Sequence, residues 1–356
     1  QSKKRRIMKK VLLALWMCCS LLTAFAQEKT TFDLGFETRM GYHREEIDGE
    51  KLDGNSGAKG DYLNLKLNGT IGSKFSYSWR QRFNKKINDS HFFDATDWVY
   101  LTYKADANWS ISAGKQVVLI GGYEYDAAPI DIFMASEYWN NIPCYQFGAS
   151  VTYATSQGND KLTAQVCESP FRNDVHNDLL AYNLYWVGQH GIWSTLWSAN
   201  LMAYAPGKYI SYLSLGNLFQ VGDFSLQLDF MNRATSHQTF LFRDCSIIGN
   251  LSWMCTPKVE LYAKASYDVN RTDHASGMGT SEAMADQCVL PGTELTSLGG
   301  GIHFYPLKSA KNTVRLHACA SYTTGTNGNP SGALTDKFLY LNVGLTWKCH
   351  LLSWGK

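Results

Sequence analysis

A chain of 356 residues can hold one large domain or two ordinary ones, and this one carries 11 Trp, 20 Tyr, 17 Phe and 30 Gly against only 8 Pro. Its mean hydropathy of −0.25 excludes a bundle of membrane helices, but not a membrane barrel whose inward half is polar. The formal charge of +2 comes with no basic cluster beyond the first residues, so nothing points to a nucleic-acid partner.

At the amino end, Lys9 and Lys10 precede the apolar run VLLALWMCCSLLTAFA, which closes on Ala24-Phe25-Ala26. A basic start, a short apolar run and an A-x-A site predict a secretory signal peptide cut before Gln27, with QSKKRRI carried along upstream of Met8. Residues 1–26 are therefore expected to be upstream residues plus a cleaved leader, and 27–356 a single domain. Cleavage removes six of the 33 basic residues and none of the 31 acidic ones, which leaves a net charge near −4. Seven cysteines stay behind, an odd number without CxxC spacing, so no zinc site and no other metal or cofactor is expected. Small apolar residues inside strands are one reading of them; a loop disulfide between Cys144 and Cys288 is the other.

The first mature element is TFDLGFETRMGYH. Phe32, Leu34, Phe36, Thr38, Met40 and Tyr42 fall on one side and Asp33, Glu37, Arg39 and His43 on the other, the period of a β-strand. Leu63-Leu65-Leu67 and Phe75-Tyr77-Trp79 repeat the pattern, and so, farther on, do Leu180-Tyr182-Leu184, Phe224-Leu226-Leu228, Val314-Leu316-Ala318 and Leu339-Leu341-Val343. Each clear segment runs roughly nine to thirteen residues, the length a tilted strand needs to cross a bilayer. With weaker segments near 97–104, 108–117, 146–154 and 209–220 the count reaches about sixteen. Short connections (72–74, 106–108, 156–160, 188–191, 222–223, 256–258, 307–312) alternate with mostly long ones (44–60, 85–95, 118–145, 168–178, 270–293, 324–336). That segregation predicts an all-β fold, a transmembrane antiparallel β-barrel in the outer membrane with short periplasmic turns and long outer loops. Its apolar face would meet outer-membrane lipid, with Trp79, Trp98, Trp193, Trp253 and Trp347 in the interfacial girdles.

Barrels of this size leave an aqueous lumen. The apolar, aromatic loop 118–145 is the candidate inward-folded constriction loop, placing Glu124, Asp126, Asp131 or Glu137 at the neck; packing on the outer rim or against a second subunit is the competing reading. Arg39, Lys66, Arg80, Arg82, Lys264 and Arg315 fall on inward faces, as do Glu37, Asp229, Glu260 and Asp268. A ladder of bases would raise the local anion concentration, whereas mutual pairing with the acids would cancel it.

WSISAGKQVVLIGGYEYD, Trp109 to Asp126, with Gly114-Lys115-Gln116 and a glycine pair, resembles the strand-to-constriction-loop passage of the phosphate-selective porin O/P family. The resemblance implies a trimeric channel for small anions or other small hydrophilic solutes. The chain departs from that pattern at its end, where CHLLSWGK follows Lys348 instead of a terminal aromatic residue. No Gly-x-Ser-x-Gly, H-E-x-x-H or Ser–His arrangement supports an enzyme. The alternative to a water-filled porin is a receptor or adhesion barrel whose outer loops bind a partner.

Overall fold

The computed structural model describes residues 29–84, 92–172, 175–235, 241–272 and 288–355. The expected leader at 1–26 and most of the 270–293 loop lie outside the described residues. Sixteen long strands form one closed antiparallel sheet. They are β1 Thr30–Ile47, β2 Gly57–Ile71, β3 Phe75–Arg82, β4 Thr96–Lys104, β5 Trp109–Val117, β6 Tyr145–Ala154, β7 Asp160–Glu168 and β8 Leu180–His190. The second half comprises β9 Trp193–Ala205, β10 Lys208–Val221, β11 Phe224–Thr235, β12 Asp244–Thr256, β13 Val259–Asn270, β14 Thr293–Lys308, β15 Thr313–Thr326 and β16 Phe338–Trp354. Glu50–Lys51 adds a two-residue pairing where β1 turns back. Each strand pairs with its neighbours in sequence, and β1 closes the cylinder against β16 from Phe32↔Trp354 to Ile47↔Phe338. Closure leaves no edge, so every backbone group at membrane depth finds a partner.

The barrel is inside out relative to a water-soluble core. Leu101, Ile111, Val151, Leu162, Leu184, Leu251, Leu298 and Val343 are exposed on its outer wall, whereas Asn64, Gln165, Asn183, Asn232, Ser246 and Asn342 are buried within. The outer wall therefore suits hydrocarbon and the inner wall suits water. Several strands outrun the expected length; β1 has 18 residues and β16 has 17. The last strand continues through CHLLSW to Trp354, so the departure at the chain end is an extension of the wall, paired with Phe32 to Gly35. Trp253 stacks on Phe224 at 5.5 Å and Trp347 meets Phe36 edge-on at 5.7 Å, both on the outer face. Trp98 is a correction: it points into the lumen, where its Nε1 donates to Ser78 Oγ at 2.8 Å and its ring lies 4.0 Å from the Arg80 guanidinium carbon.

All seven described cysteines are free. Cys144 and Cys288 share one buried apolar cluster, so the packed-thiol reading replaces the disulfide. Among the described residues no helix is long and apolar enough to cross a membrane, and no His/Cys/Asp/Glu group has a metal-binding arrangement.

Candidate functional site

The segment after β5 turns into the barrel and stays there. It holds two short helices, α1 Tyr123–Asp126 and α2 Glu137–Asn141, with a 3-10 turn at Pro129–Asp131 between them. The Gly121-Gly122 pair lets the chain lie against the wall. Gly122 has φ +108, and a Cβ there would meet Met231 Cε at 2.4 Å; one on Gly121 would meet the Leu196 carbonyl at 2.4 Å. Apolar residues then dock it: Val118, Ile120, Tyr125 and Tyr138 pack with Met202, Tyr212 and Met231 of β9 to β11. That side of the lumen is filled.

Polar anchors complete the docking. Both Asp229 oxygens accept backbone N–H groups, from Tyr123 and Glu124, at 2.8 Å each. Asp268 accepts from the Glu137 amide at 2.9 Å, and Ser136 Oγ caps α2 by accepting from the Trp139 amide at 3.1 Å. Carboxylates placed at the free N–H groups of a helical turn satisfy donors that have no intrahelical partner. Arg39 Nη1 donates to the Ile130 and Ile132 carbonyls at 3.1 and 2.6 Å. Lys264 Nζ bonds Glu124 and donates to the Met134 carbonyl at 2.5 Å. Asp131 bridges Arg315 at 3.0 Å and Lys348 at 2.5 Å. Burial alone would raise the Asp131 carboxyl, but the two cations override it and hold it below the ordinary carboxylate range.

The four loop acids named from sequence thus differ in circumstance. Glu124 is buried with Lys264 and Ser136, and Glu137 is buried and accepts from the Leu334 amide at 3.2 Å. Asp131 sits between two cations. Asp126 alone of the four is exposed.

The inward bases are paired too. Arg80 and Arg82 grip Asp97 at 2.7 and 2.9 Å, Lys66 meets Glu37 at 2.7 Å, and Arg39 meets Asp61 at 3.1 Å. Glu260 holds His303 at 3.0 Å and accepts from Tyr305. A fully buried Arg233–Asp244 pair at 2.8 Å was not foreseen.

Two of these counter-ions, Asp61 and Asp97, defeat a reading by alternation. Asp61 shares its parity with Leu63 and Leu65, and Asp97 with Val99 and Leu101. Each occupies a β-bulge: the register steps from Arg39↔Tyr62 to Met40↔Gly60, and from Arg80↔Trp98 to Gln81↔Thr96. The extra residue is re-aimed, here onto an inward arginine.

Among the described residues the lumen keeps open space at several places. A vestibule of about 710 Å³ lies towards the long-loop end, lined by Arg39, Asp61, Tyr62, Trp139, Ala333 and Tyr340 among others. A chamber of about 420 Å³ lies between the loop and the β2–β8 wall, with Trp98, Tyr100, Gln116, Asp126, Trp139 and Lys161 on its surface. A third, polar recess of about 110 Å³ sits under the loop beside Lys264, Glu260 and His303.

The family model for phosphate-selective porins O and P matches residues 32–204, which include the loop and its β5 approach. Over that stretch the chain resembles the phosphate-selective porin O/P family. No curated protein sequence matches the porin, but solved structures do. It is similar to the anion-selective porin from Comamonas acidovorans at 10% identity and TM-score 0.60, covering 90% of this chain and 99% of that one. It is likewise similar to the trimer form of OmpT from Vibrio cholerae, at 13% identity and TM-score 0.59, covering 90% and 100%. The outer membrane channel DcaP of Acinetobacter baumannii gives 13% and 0.58 over 90% and 97%. At such identities these likenesses show the fold. With the family match they make the porin a passive diffusion channel of the outer membrane, and they point to a channel rather than an enzyme.

Proposed function

We propose that the porin passes small hydrophilic solutes and ions with weak ion preference, through the space left between the constriction loop and the β2–β8 wall. One observation carries this reading: Arg39, Lys66, Arg80, Arg82, Lys264, Arg315 and Lys348 each bond a carboxylate. Paired charges focus little potential on a passing ion. On this reading Arg39, Lys66, Arg80, Arg82, Lys264 and Arg315, with Glu37, Asp229 and Glu260, line or brace the pore. Lys161 and Asp126, both exposed in the lower chamber and without an ion pair among the described residues, have opposite signs.

The reversal potential across a KCl gradient in a planar bilayer tests this, with a value near zero expected. A strong anion potential, with phosphate blocking the chloride current, would replace it with an anion-selective reading centred on Lys161. Absence of any conductance would favour a receptor or adhesion barrel instead. We further read the chain as a leader over 1–26 and one barrel over 27–356, without catalytic activity. We also read it as a homotrimer in outer-membrane lipid, supported by the trimeric Vibrio relative and the apolar outer wall. Chemical cross-linking in membranes would give a three-chain species.

A further inference from the structure

On the outer wall, β7 to β9 bring a carboxylate and four rings together. Pairing sets Asp160 opposite Gly188, Trp186 opposite Trp197 and His190 opposite Trp193, all on the face of the exposed Leu162 and Leu184. The rings form a closed circuit. Centroids are 5.1 Å apart from Trp186 to Trp197, 6.1 Å from Trp197 to Trp193, 5.8 Å from Trp193 to His190 and 6.2 Å from His190 back to Trp186. Gly188 leaves them room, since a Cβ there would meet His190 Nε2 at 2.9 Å and Trp186 Cζ2 at 3.1 Å. Only Gly191 and Ile192 separate β8 from β9 beside the cluster. It therefore lies at the short-turn end, which faces the periplasm in such barrels, at the level where aromatic residues meet lipid headgroups.

Hydrogen bonds within the cluster decide what it still offers. Trp186 Nε1 donates to Asp160 Oδ1 at 2.9 Å, and Trp193 and Trp197 Nε1 donate to Asn217 Oδ1 at 3.0 and 3.3 Å. His190 Nε2 lies 3.1 Å from the same Asp160 oxygen. Every indole N–H is taken, so a neighbour meets ring faces, and ring faces attract cations. Asp160 Oδ2 has no partner among the described residues, and the His190 and Asp160 side chains are 37% and 33% exposed. Elsewhere the barrel supplies its own cations to aromatic rings, Arg80 to Trp98 at 4.0 Å and Lys308 to Tyr305 at 4.5 Å. Among the described residues no lysine or arginine reaches these four rings or pairs with Asp160.

We infer that this cluster binds the ammonium headgroup of a phospholipid, ethanolamine being the simplest, with the cation against Asp160 Oδ2 and over the tryptophan faces. With neighbouring centroids 5.1 to 6.2 Å apart, one ammonium lies within the cation–π range of about 6 Å from two or more rings. A headgroup with a phosphate but no ammonium would meet the carboxylate uncompensated and find no free indole donor. The inference concerns the lipid face and is independent of what the lumen passes.

Native mass spectrometry of the intact barrel, released from vesicles of equal phosphatidylethanolamine and phosphatidylglycerol, tests it. The parent should retain one ethanolamine lipid per chain in preference to phosphatidylglycerol. Asp160→Asn keeps the Oδ1 acceptor for Trp186 but removes the charge, and should lower ethanolamine-lipid retention about tenfold. Trp197→Leu removes one ring and should lower it as well. Equal retention of the two lipids by the parent overturns the proposal, and so does ethanolamine-lipid retention in Asp160→Asn equal to the parent's. Loss of both lipids alike in Asp160→Asn also overturns it, since that marks a disordered surface and not a lost charge. Where Trp197→Leu yields no folded barrel, Asp160→Asn decides.

Discussion

Asp97 illustrates how one residue sets the electrostatics of a lumen. It neutralises Arg80 and Arg82, and the Arg80 side chain is only 1% exposed. Taking away one partner of such a pair leaves a charge without compensation where water cannot reach it, at a cost of about 3 kcal/mol. Asp97→Asn should therefore unfold at a lower urea concentration in detergent than the parent. It should also shift the reversal potential towards anions, since two guanidinium groups lose their counter-ion; an unshifted potential would mean these bases lie outside the ion path. Neither Asp97 nor Asp61 is recognisable as a lumen residue from alternation. The arginines are legible because they keep step with their strands, but their partners are not, because a bulge changes the face on which a residue emerges.

At the scale of the element, the constriction loop is held by small residues and opposed charges together. Gly122→Val combines a positive φ with a side chain that would collide with Met231, so the loop cannot seat as it does now. Single-channel conductance should rise and fluctuate in that variant, and a conductance equal to the parent's would show that the loop does not limit flow. Asp131 makes part of the docking sensitive to pH. Its carboxyl lies below the ordinary range in the folded protein, so the tie to Arg315 and Lys348 is complete above that range and is lost as pH falls through the lowered value. Acidification should raise current noise, and Asp131→Asn should show the same noise at neutral pH. The loop's inward course is legible in its apolar, aromatic composition and its glycine pair. Its anchors are not, since Asp229 lies 105 and 106 residues from the amides it accepts and Asp268 lies 131 and 130 from its own.

For the whole molecule, the decisive property is that the outer wall is apolar while the inner wall is polar, except where Met202, Tyr212 and Met231 receive the constriction loop. Leu184 is 55% exposed midway along β8. Placing a charge there would put it in hydrocarbon, at about 2–4 kcal/mol near the bilayer midplane. Leu184→Lys should lower the folded fraction recovered from refolding into lipid vesicles. Thr152→Lys, two strands away on the lumen face, should refold as the parent does. Equal losses for both would contradict the assignment of the two walls.

The barrel, its strand number, the lipid face and the order of turns and loops were all determined by the sequence alone. Each follows from a side-chain period of two and from local turn chemistry, which act between residues close in the chain. What only the tertiary structure decided is which charges cancel, which bulges turn acids inward, and where Trp139 sits. Those depend on contacts between residues tens to hundreds of positions apart, and the closing of β1 on β16 brings such residues together.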